Sequence, residues 1–383
     1  MKKIRLGIIG LGAQGSTYAE FIKSGKIPQI EIGAICDINT EKKDEVKNHY
    51  PNVPFYNDYI AMLESGDVDA IVTTVPHYLH TDIGKEALKR DIHALLEKPA
   101  DIYAEKVKEI SELAVSKPYL TFAIFFNQRT NPLYQKVKSL IDDGVIGNIR
   151  RTNWIITTWW RPQAYYNQSS WRATWSEEGG GVLVNQAPHQ IDLLQWLCGM
   201  PKSVFSNIKY GYQRDLAVDD DVTTILDYGN GATGVFITCT HDIIGTDRLE
   251  ITGDNGKILV EDSDSKTITL TRLKESETQM NRNMSWKEAA KIFKGNGLEN
   301  IYDQQTFEFE SVWGEQHINV LENFAANIID GTPLIAPGND GINGVNLVNA
   351  IYLSSWTGKE VTVPVNPSEF KDALKQQIQN EAH

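Results

Sequence analysis

Ile8-Ile9-Gly10-Leu11-Gly12-Ala13-Gln14-Gly15 decides the reading of this 383-residue chain. An apolar run (Leu6, Ile8, Ile9) leads straight into Gly-x-Gly-x-x-Gly, and a helical pattern follows from Ser16 to Lys23. A second apolar run, Ile30 to Cys36, ends in Asp37, twenty-two residues beyond the third glycine. Each part has a physical task in a dinucleotide site. Gly10 allows the tight turn, Gly12 lets backbone amides approach a pyrophosphate, and Gly15 permits close helix–strand packing. The helix N-terminus, with Ala13 and Gln14 in its first turn, offers free N–H groups and partial positive charge to the phosphates. Asp37 can accept hydrogen bonds from ribose hydroxyls. The plainer alternative is a glycine-rich βαβ turn that holds no ligand, and the strand–turn–helix–strand–Asp order weighs against it.

Asp37 also bears on cofactor choice. A carboxylate there repels a 2′-phosphate, and Ile38-Asn39-Thr40 supplies no arginine to offset it, so NAD is expected over NADP. Lys42 and Lys43 are close enough in sequence to weaken that preference.

A net charge of −13 argues against nucleic acid and anionic membranes as partners, since both would be repelled. The 41% hydrophobic and 23% charged content is that of an ordinary globular chain, and the length predicts two domains. No apolar run reaches the length of a membrane span. Met1-Lys2-Lys3 and the residues after it mimic a signal peptide only superficially, because Gly7, Gly10, Gly12 and Gln14 break the apolar stretch. Cys36, Cys198 and Cys239 are odd in number and far apart. They read as small core residues in a reducing compartment, with the cytoplasm the expected location.

Residues 1–126 alternate short apolar runs (Leu6–Ile9, Ile30–Cys36, Ala70–Val75, Ile92–Leu96, Tyr119–Phe126) with amphipathic segments. This pattern predicts an α/β, doubly wound parallel sheet of the Rossmann type. Residues 127–383 carry longer alternating stretches with Asn/Gly turns and a few helices. They predict an α+β domain with an open, mainly antiparallel sheet for substrate binding and oligomerisation. Lys274–Gln304 reads as a polar surface insertion, and the residues beyond Pro367 as a partly frayed helix. The reaction cleft is then expected where ligands bind doubly wound sheets, beyond the carboxyl ends of the strands.

Glu97-Lys98-Pro99 follows the predicted strand Ile92–Leu96, which puts Lys98 at that edge. An ammonium there can bond a substrate hydroxyl and stabilise the charge that develops on its oxygen. A lone lysine after a strand is otherwise simply solvated. In the second half, Gly179-Gly180-Gly181 runs through Asn185 into Pro188-His189-Gln190-Ile191-Asp192, a glycine turn joined to a helix start. Asn185 and His189, four apart, can face one site, and a neutral His189 suits proton transfer. A histidine at a helix start is more commonly structural. His189 and Asp192 lack a third ligand at metal-binding spacing, so no metal is expected.

With these residues in view the chain resembles the glucose–fructose oxidoreductase/inositol dehydrogenase (Gfo/Idh/MocA) family. The resemblance is carried by Gly10–Gly15 with Asp37, Thr74-Val75-Pro76 with His80, Glu97-Lys98-Pro99, Gly144-Val145-Ile146-Gly147 and Trp171-Arg172. It continues through Gly179-Gly180-Gly181 with His189 and Asp192 to Gly253-x-x-Gly256, and so covers nearly the whole chain. It implies an NAD(P)-dependent oxidoreductase moving a hydride between nicotinamide and a sugar, inositol or related polyol, assembled as a homodimer or homotetramer. It further implies Lys98 as the catalytic lysine and His189 as the residue that exchanges the hydroxyl proton. Thr74, Pro76, His80, Glu97, Trp171 and Arg172 would then lie along the cofactor.

One position departs from the family. Asn185 stands where many members carry aspartate, and an amide can orient His189 or bond substrate but brings no negative charge. Just upstream, Trp154, Trp159, Trp160, Tyr165, Tyr166, Trp171 and Trp175 crowd one window. Aromatic faces pack on the C–H faces of sugars, so Trp159 and Trp160 join Lys98, Asn185 and His189 as expected substrate contacts. A packed loop or subunit contact explains such rings equally well. Two other readings stand beside the dehydrogenase. One is an NAD-requiring glycosidase that oxidises its sugar transiently; the other is a non-catalytic nucleotide-binding sensor or accessory subunit, motivated only by Asn185.

Overall fold

The computed structural model describes residues 3–261, 266–310 and 312–381. The apolar runs of the first third become six parallel strands: β1 (Ile4–Ile9), β2 (Ile30–Cys36), β3 (Phe55–Tyr56), β4 (Ala70–Thr73), β5 (His93–Leu96) and β6 (Phe122–Ile124). They lie in the order β3-β2-β1-β4-β5-β6. The order reverses between β1 and β4, which opens a crevice beyond their carboxyl ends. Continuous apolar sequence is required because both faces are buried: Leu6 and Ile8 pack on one side, Ile9 and Ile71 on the other.

Backbone crowding at the end of β1 explains its glycines. Gly10 has φ +95°, and a side chain at Gly15 would place Cβ 2.1 Å from the Gly10 carbonyl oxygen. The helix Ala13–Lys23 therefore starts directly against the strand end.

The second sheet has nine strands: β7 (Ile149–Ile156), β8 (Ser203–Tyr210), β9 (Asp219–Asp227), β10 (Thr233–Cys239), β11 (Asp247–Gly253), β12 (Gly256–Glu261), β13 (Thr267–Leu273), β14 (Tyr302–Glu308) and β15 (Val361–Thr362). Their order is β14-β13-β12-β11-β7-β10-β9-β8-β15. Only β7 and β10 run parallel; the other pairs are antiparallel. The helices Pro132–Asp142, Pro188–Cys198, Gly341–Thr357 and Pro367–Glu381 contribute Leu133, Ile191, Ile351 and Phe370 to a core shared with Trp154, Val222 and Phe236. The opposite face stays open, with Phe205 44% and Ile225 52% exposed.

The chain then returns to the first sheet. Val320, Leu321 and Phe324 of the helix Glu315–Asp330 pack with Leu6 and Ile8, and Pro337 bridges to Ala123 of β6.

One local expectation, the frayed C-terminal helix, is corrected, and two other segments gain detail. The polar segment Lys274–Gln304 holds two short helices, Glu277–Asn283 and Trp286–Phe293, each opened by a capping box (Ser276 with Gln279, Ser285 with Glu288), and the start of edge strand β14. The C-terminal helix is anchored rather than frayed: Phe370 and Leu374 are buried, and the Glu381 carboxylate accepts from the backbone N–H of Trp175 and Ser176 at 2.6 and 3.1 Å. A helix at Lys42–His49, absent from the sequence reading, buries only Val46. Among the described residues no helix is long and apolar enough to cross a membrane.

Candidate active site

The loops after β4 and β5 and the glycine turn before Pro188 meet at the carboxyl ends of the first sheet. Lys98, one residue beyond Glu97 at the end of β5, reaches its Nζ to 2.8 Å from the Asn185 carbonyl oxygen. The Asn185 side chain in turn donates its amide to the Glu178 carboxylate. The other Glu178 oxygen accepts the Ala173 N–H at 2.5 Å, and the Glu178 carbonyl faces His77 Nδ1 at 2.9 Å. Glu178 and His77, neither singled out by the sequence reading, thus tie the glycine turn to the loop after β4.

The glycine turn is held from below by Asp219. Its carboxylate accepts from the N–H of Gly181 at 2.5 Å, the N–H of Leu183 at 2.9 Å and the Tyr352 hydroxyl at 2.6 Å. Asp192, one turn past His189, is equally committed. It forms a two-pronged pair with Arg129 (Nε 2.8 Å, Nη2 2.7 Å), and Arg129 also reaches Asp340 at 2.6 Å. Asp192 is therefore a fixing post between the helix Pro188–Cys198 and the end of the first sheet.

His189 lies at the second position of that helix, and its Nδ1 is buried without a protein partner among the described residues. Burial, then the charge of Lys98, then His317 hold it well below the ordinary histidine value, so the ring is a neutral proton acceptor. His317, from the helix Glu315–Asp330, feels the same ammonium and is held down to about 4 by burial and Lys98. Its Nε2 is 3.0 Å from Asn127 Nδ2, and the Oδ1 of Asn127 is buried without a partner among the described residues. Nothing beside His317 in sequence marks it for this position.

Burial lowers the Lys98 ammonium, while the Glu97 and Glu178 carboxylates support its charge and Arg172 opposes it. Burial raises Glu178 to about 7 despite the Ala173 and Asn185 donors. Asn185 brings no charge to the site, but the Glu178 carboxyl bonded to it does once ionised, above about pH 7.

On the cofactor side the residues fit a dinucleotide. A Cβ built at Gly12 meets nothing within 4 Å, leaving the backbone open to a bulky anion, while Gly10 and Gly15 are tightly enclosed. Thr74 bonds the carbonyl oxygens of Ile9 (3.1 Å) and Gly10 and so locks the turn. Asp37 accepts the N–H of Leu11 at 2.8 Å and pairs with Lys42 at 2.7 Å. Burial alone would raise Asp37, but Lys42 and the amides of Asn39 and Leu11 outweigh it and hold the carboxylate below its ordinary value. The Lys42 ammonium thus stands directly beside the Asp37 carboxylate.

Other singled-out residues serve as posts. His80 sets Nδ1 against the Pro99 oxygen and Nε2 against the Val75 oxygen, both at 2.8 Å, clamping the two loops together. Pro76 caps the short turn His77–Leu79, and Glu97 accepts from the Tyr18 hydroxyl. The Arg172 guanidinium lies 4.6 Å from the Trp171 ring centroid, and Trp171 stands edge-on to His77 at 6.4 Å.

The aromatic window divides. Trp154, Trp175 and Tyr166 belong to the core, and Trp160 is exposed in a surface groove with Tyr212 and Ile243. Trp159 is partly buried, its Nε1 without a partner.

Known proteins agree with this architecture. The oxidoreductase-family model for an NAD-binding Rossmann fold matches residues 4–125, and that for the family's C-terminal alpha/beta domain matches residues 138–364. The myo-inositol 2-dehydrogenase of Thermotoga maritima is 23% identical over 343 residues, 88% of this chain and 92% of its own. The scyllo-inositol 2-dehydrogenase (NADP(+)) IolW of Bacillus subtilis is 25% identical over 357 residues, 92% of this chain and 94% of its own. The WlbA dehydrogenase from Bordetella pertussis, solved with NADH and UDP-GlcNAcA, shares the fold with a TM-score of 0.76 at 22% identity, over 95% of this chain and 100% of that one. Two family models spanning most of its length, over the sheet order and glycine cradle described above, place this chain in the Gfo/Idh/MocA family of oxidoreductases.

Proposed function

We propose that the chain is an NAD-dependent dehydrogenase of a sugar, inositol or related polyol, working as a keto-sugar reductase in the reverse direction. One observation carries this reading: Lys98, the Glu178–Asn185 pair and a neutral His189 converge beside the glycine cradle. Lys98 donates to the substrate hydroxyl oxygen and stabilises the negative charge that grows there as its proton leaves. His189 accepts that proton through a ring nitrogen. Glu178, acting through Asn185, orients the turn that presents both groups and supplies the charge Asn185 lacks. The nicotinamide, when bound, supplies the hydride acceptor. Asp37 favours NAD over NADP, with Lys42 softening the preference. Gly10, Gly12, Ala13, Gln14 and Gly15 hold the pyrophosphate, with Thr74, Pro76, His80, Glu97, Trp171 and Arg172 bracing the cofactor side. Trp159 forms part of the sugar-facing wall.

The inositol dehydrogenases among the relatives and the sugar-nucleotide complex of WlbA support a polyhydroxylated substrate. Glu178 removes the motivation for a non-catalytic reading, and no observation favours the glycosidase. The test is NAD reduction by a panel of inositols, aldoses and sugar nucleotides, followed by absorbance of the reduced nicotinamide. Growth with at least one polyol supports the reading; nucleotide binding with no reduction by any of them overturns it.

The open face, where Phe205, Ile225 and Val235 stand side by side on β8, β9 and β10, is proposed to pair with a second copy. Light scattering should give a dimer or tetramer that Ile225→Glu dissociates; an unchanged mass for the variant would refute this surface. The three unpaired cysteines fit a cytoplasmic location.

A further inference from the structure

Away from the cleft, at the end of β10, four side chains gather that the proposed reaction does not use. Cys239, His241 and Asp242 bring their ligating atoms within 4.8 Å of one another. His241 Nδ1 is 3.2 Å from Asp242 Oδ1, while its Nε2 is 2.9 Å from Asp221 Oδ2 on the neighbouring strand β9. The backbone is pinned on both sides: Thr240 N–H donates to the Asp220 oxygen at 3.0 Å, and the Thr240 oxygen accepts from Arg161 N–H at 2.8 Å. Cys239 is buried, and its sulfur accepts from the N–H groups of His241 and Asp242. Tyr212 stands edge-on to the His241 ring at 5.7 Å.

This is the donor set of a zinc centre. Thiolate, imidazole and carboxylate are the three ligand types zinc takes, and tetrahedral zinc holds nitrogen and oxygen ligands roughly 3.3–3.5 Å apart. The Nδ1–Asp242 spacing of 3.2 Å is about 0.1 Å short of that range. Asp221 supplies what zinc-bound histidines commonly have, a carboxylate on the far ring nitrogen. That contact occupies Nε2 and leaves Nδ1 as the ring nitrogen that faces Asp242. We propose that Cys239, His241 and Asp242 bind one zinc ion, with water as the fourth ligand and Asp221 as the outer carboxylate. His241 and Asp242 are only partly buried, so the ion has a route from solvent. Binding forms a zinc–sulfur bond, breaks the S–H bond and releases that proton to solvent.

The test uses the full chain stripped with a chelator and titrated with zinc chloride against a chromophoric competitor, then with cobalt(II). We expect one equivalent of zinc, proton release on binding, and a thiolate-to-cobalt charge-transfer band. Cys239→Ser should abolish the band, and His241→Ala should weaken zinc binding at least 100-fold. Asp221→Asn should weaken it about 10–100-fold. NAD affinity serves as the check that each variant is folded; should Cys239→Ser fail that check, His241→Ala and the wild-type cobalt spectrum decide. Absence of stoichiometric zinc binding, or undiminished binding in His241→Ala or a folded Cys239→Ser, overturns the proposal. None of these readouts depends on turnover, so the zinc site and the dehydrogenase reading stand or fall separately.

Discussion

The Lys98 ammonium lies 2.8 Å from the carbonyl oxygen of Asn185, joining the end of the first sheet to the turn that precedes the His189 helix. In the proposed reaction that charge stabilises the substrate oxygen whose proton His189 takes. Lys98→Met removes the charge at similar length. We expect turnover to fall by about 10²–10³-fold, with NADH affinity, followed by fluorescence, nearly unchanged. Full turnover in the variant would remove Lys98 from the chemistry.

Glu178 should leave a mark on pH dependence. Burial raises it from the ordinary 4.5 to about 7. A carboxyl raised on folding stabilises the folded chain fully below its ordinary value, and that contribution is lost as pH climbs through about 7. Glu178→Gln stays neutral throughout. Its stability relative to wild type should rise between about pH 5 and 7.5, by on the order of 3 kcal/mol, and the ionisation near 7 in kcat/KM should vanish. A stability difference flat with pH would contradict this.

Asp37 is held ionised by Lys42 and two backbone amides. We expect NADH to bind more tightly than NADPH. Asp37→Ala should weaken NADH by about 10–100-fold, the worth of hydrogen bonds to a charged group, and narrow the gap between the two. Equal wild-type affinities in fluorescence titration would show that Asp37 does not select.

Asp192 and Arg129 are each 1% exposed and bonded at both prongs. Asp192→Ala leaves a buried guanidinium with Asp340 as its one carboxylate partner among the described residues. Chemical denaturation should show a loss of about 3–5 kcal/mol. A loss below about 1 kcal/mol would mean that this pair behaves like a surface one.

What could be read from sequence was chemistry that lies close along the chain. Gly10–Gly15, Glu97-Lys98-Pro99 and the Asn185–His189 turn each carry their meaning within a few residues. Glu178, His77, Asp219 and His317 act through contacts made by folding, and nothing beside them in sequence announces it. The helices Glu277–Asn283 and Trp286–Phe293 have no buried residues; their capping boxes were the readable signal, joined in the second by an apolar stripe through Trp286, Ala289, Ala290 and Phe293. The aromatic window divides because a ring fills a core as readily as it lines a cleft: Trp154 on β7 and Trp175 in the turn before the glycines went to the core.

The most direct measurement is a crystal structure of the chain grown with NAD. We expect the pyrophosphate against the backbone at Gly12, the adenosine ribose on Asp37, and the nicotinamide beside Lys98 with His189 facing it across a substrate-sized gap. A nicotinamide lodged away from Lys98 and His189, or a glycine turn that admits no dinucleotide, would contradict the dehydrogenase assignment.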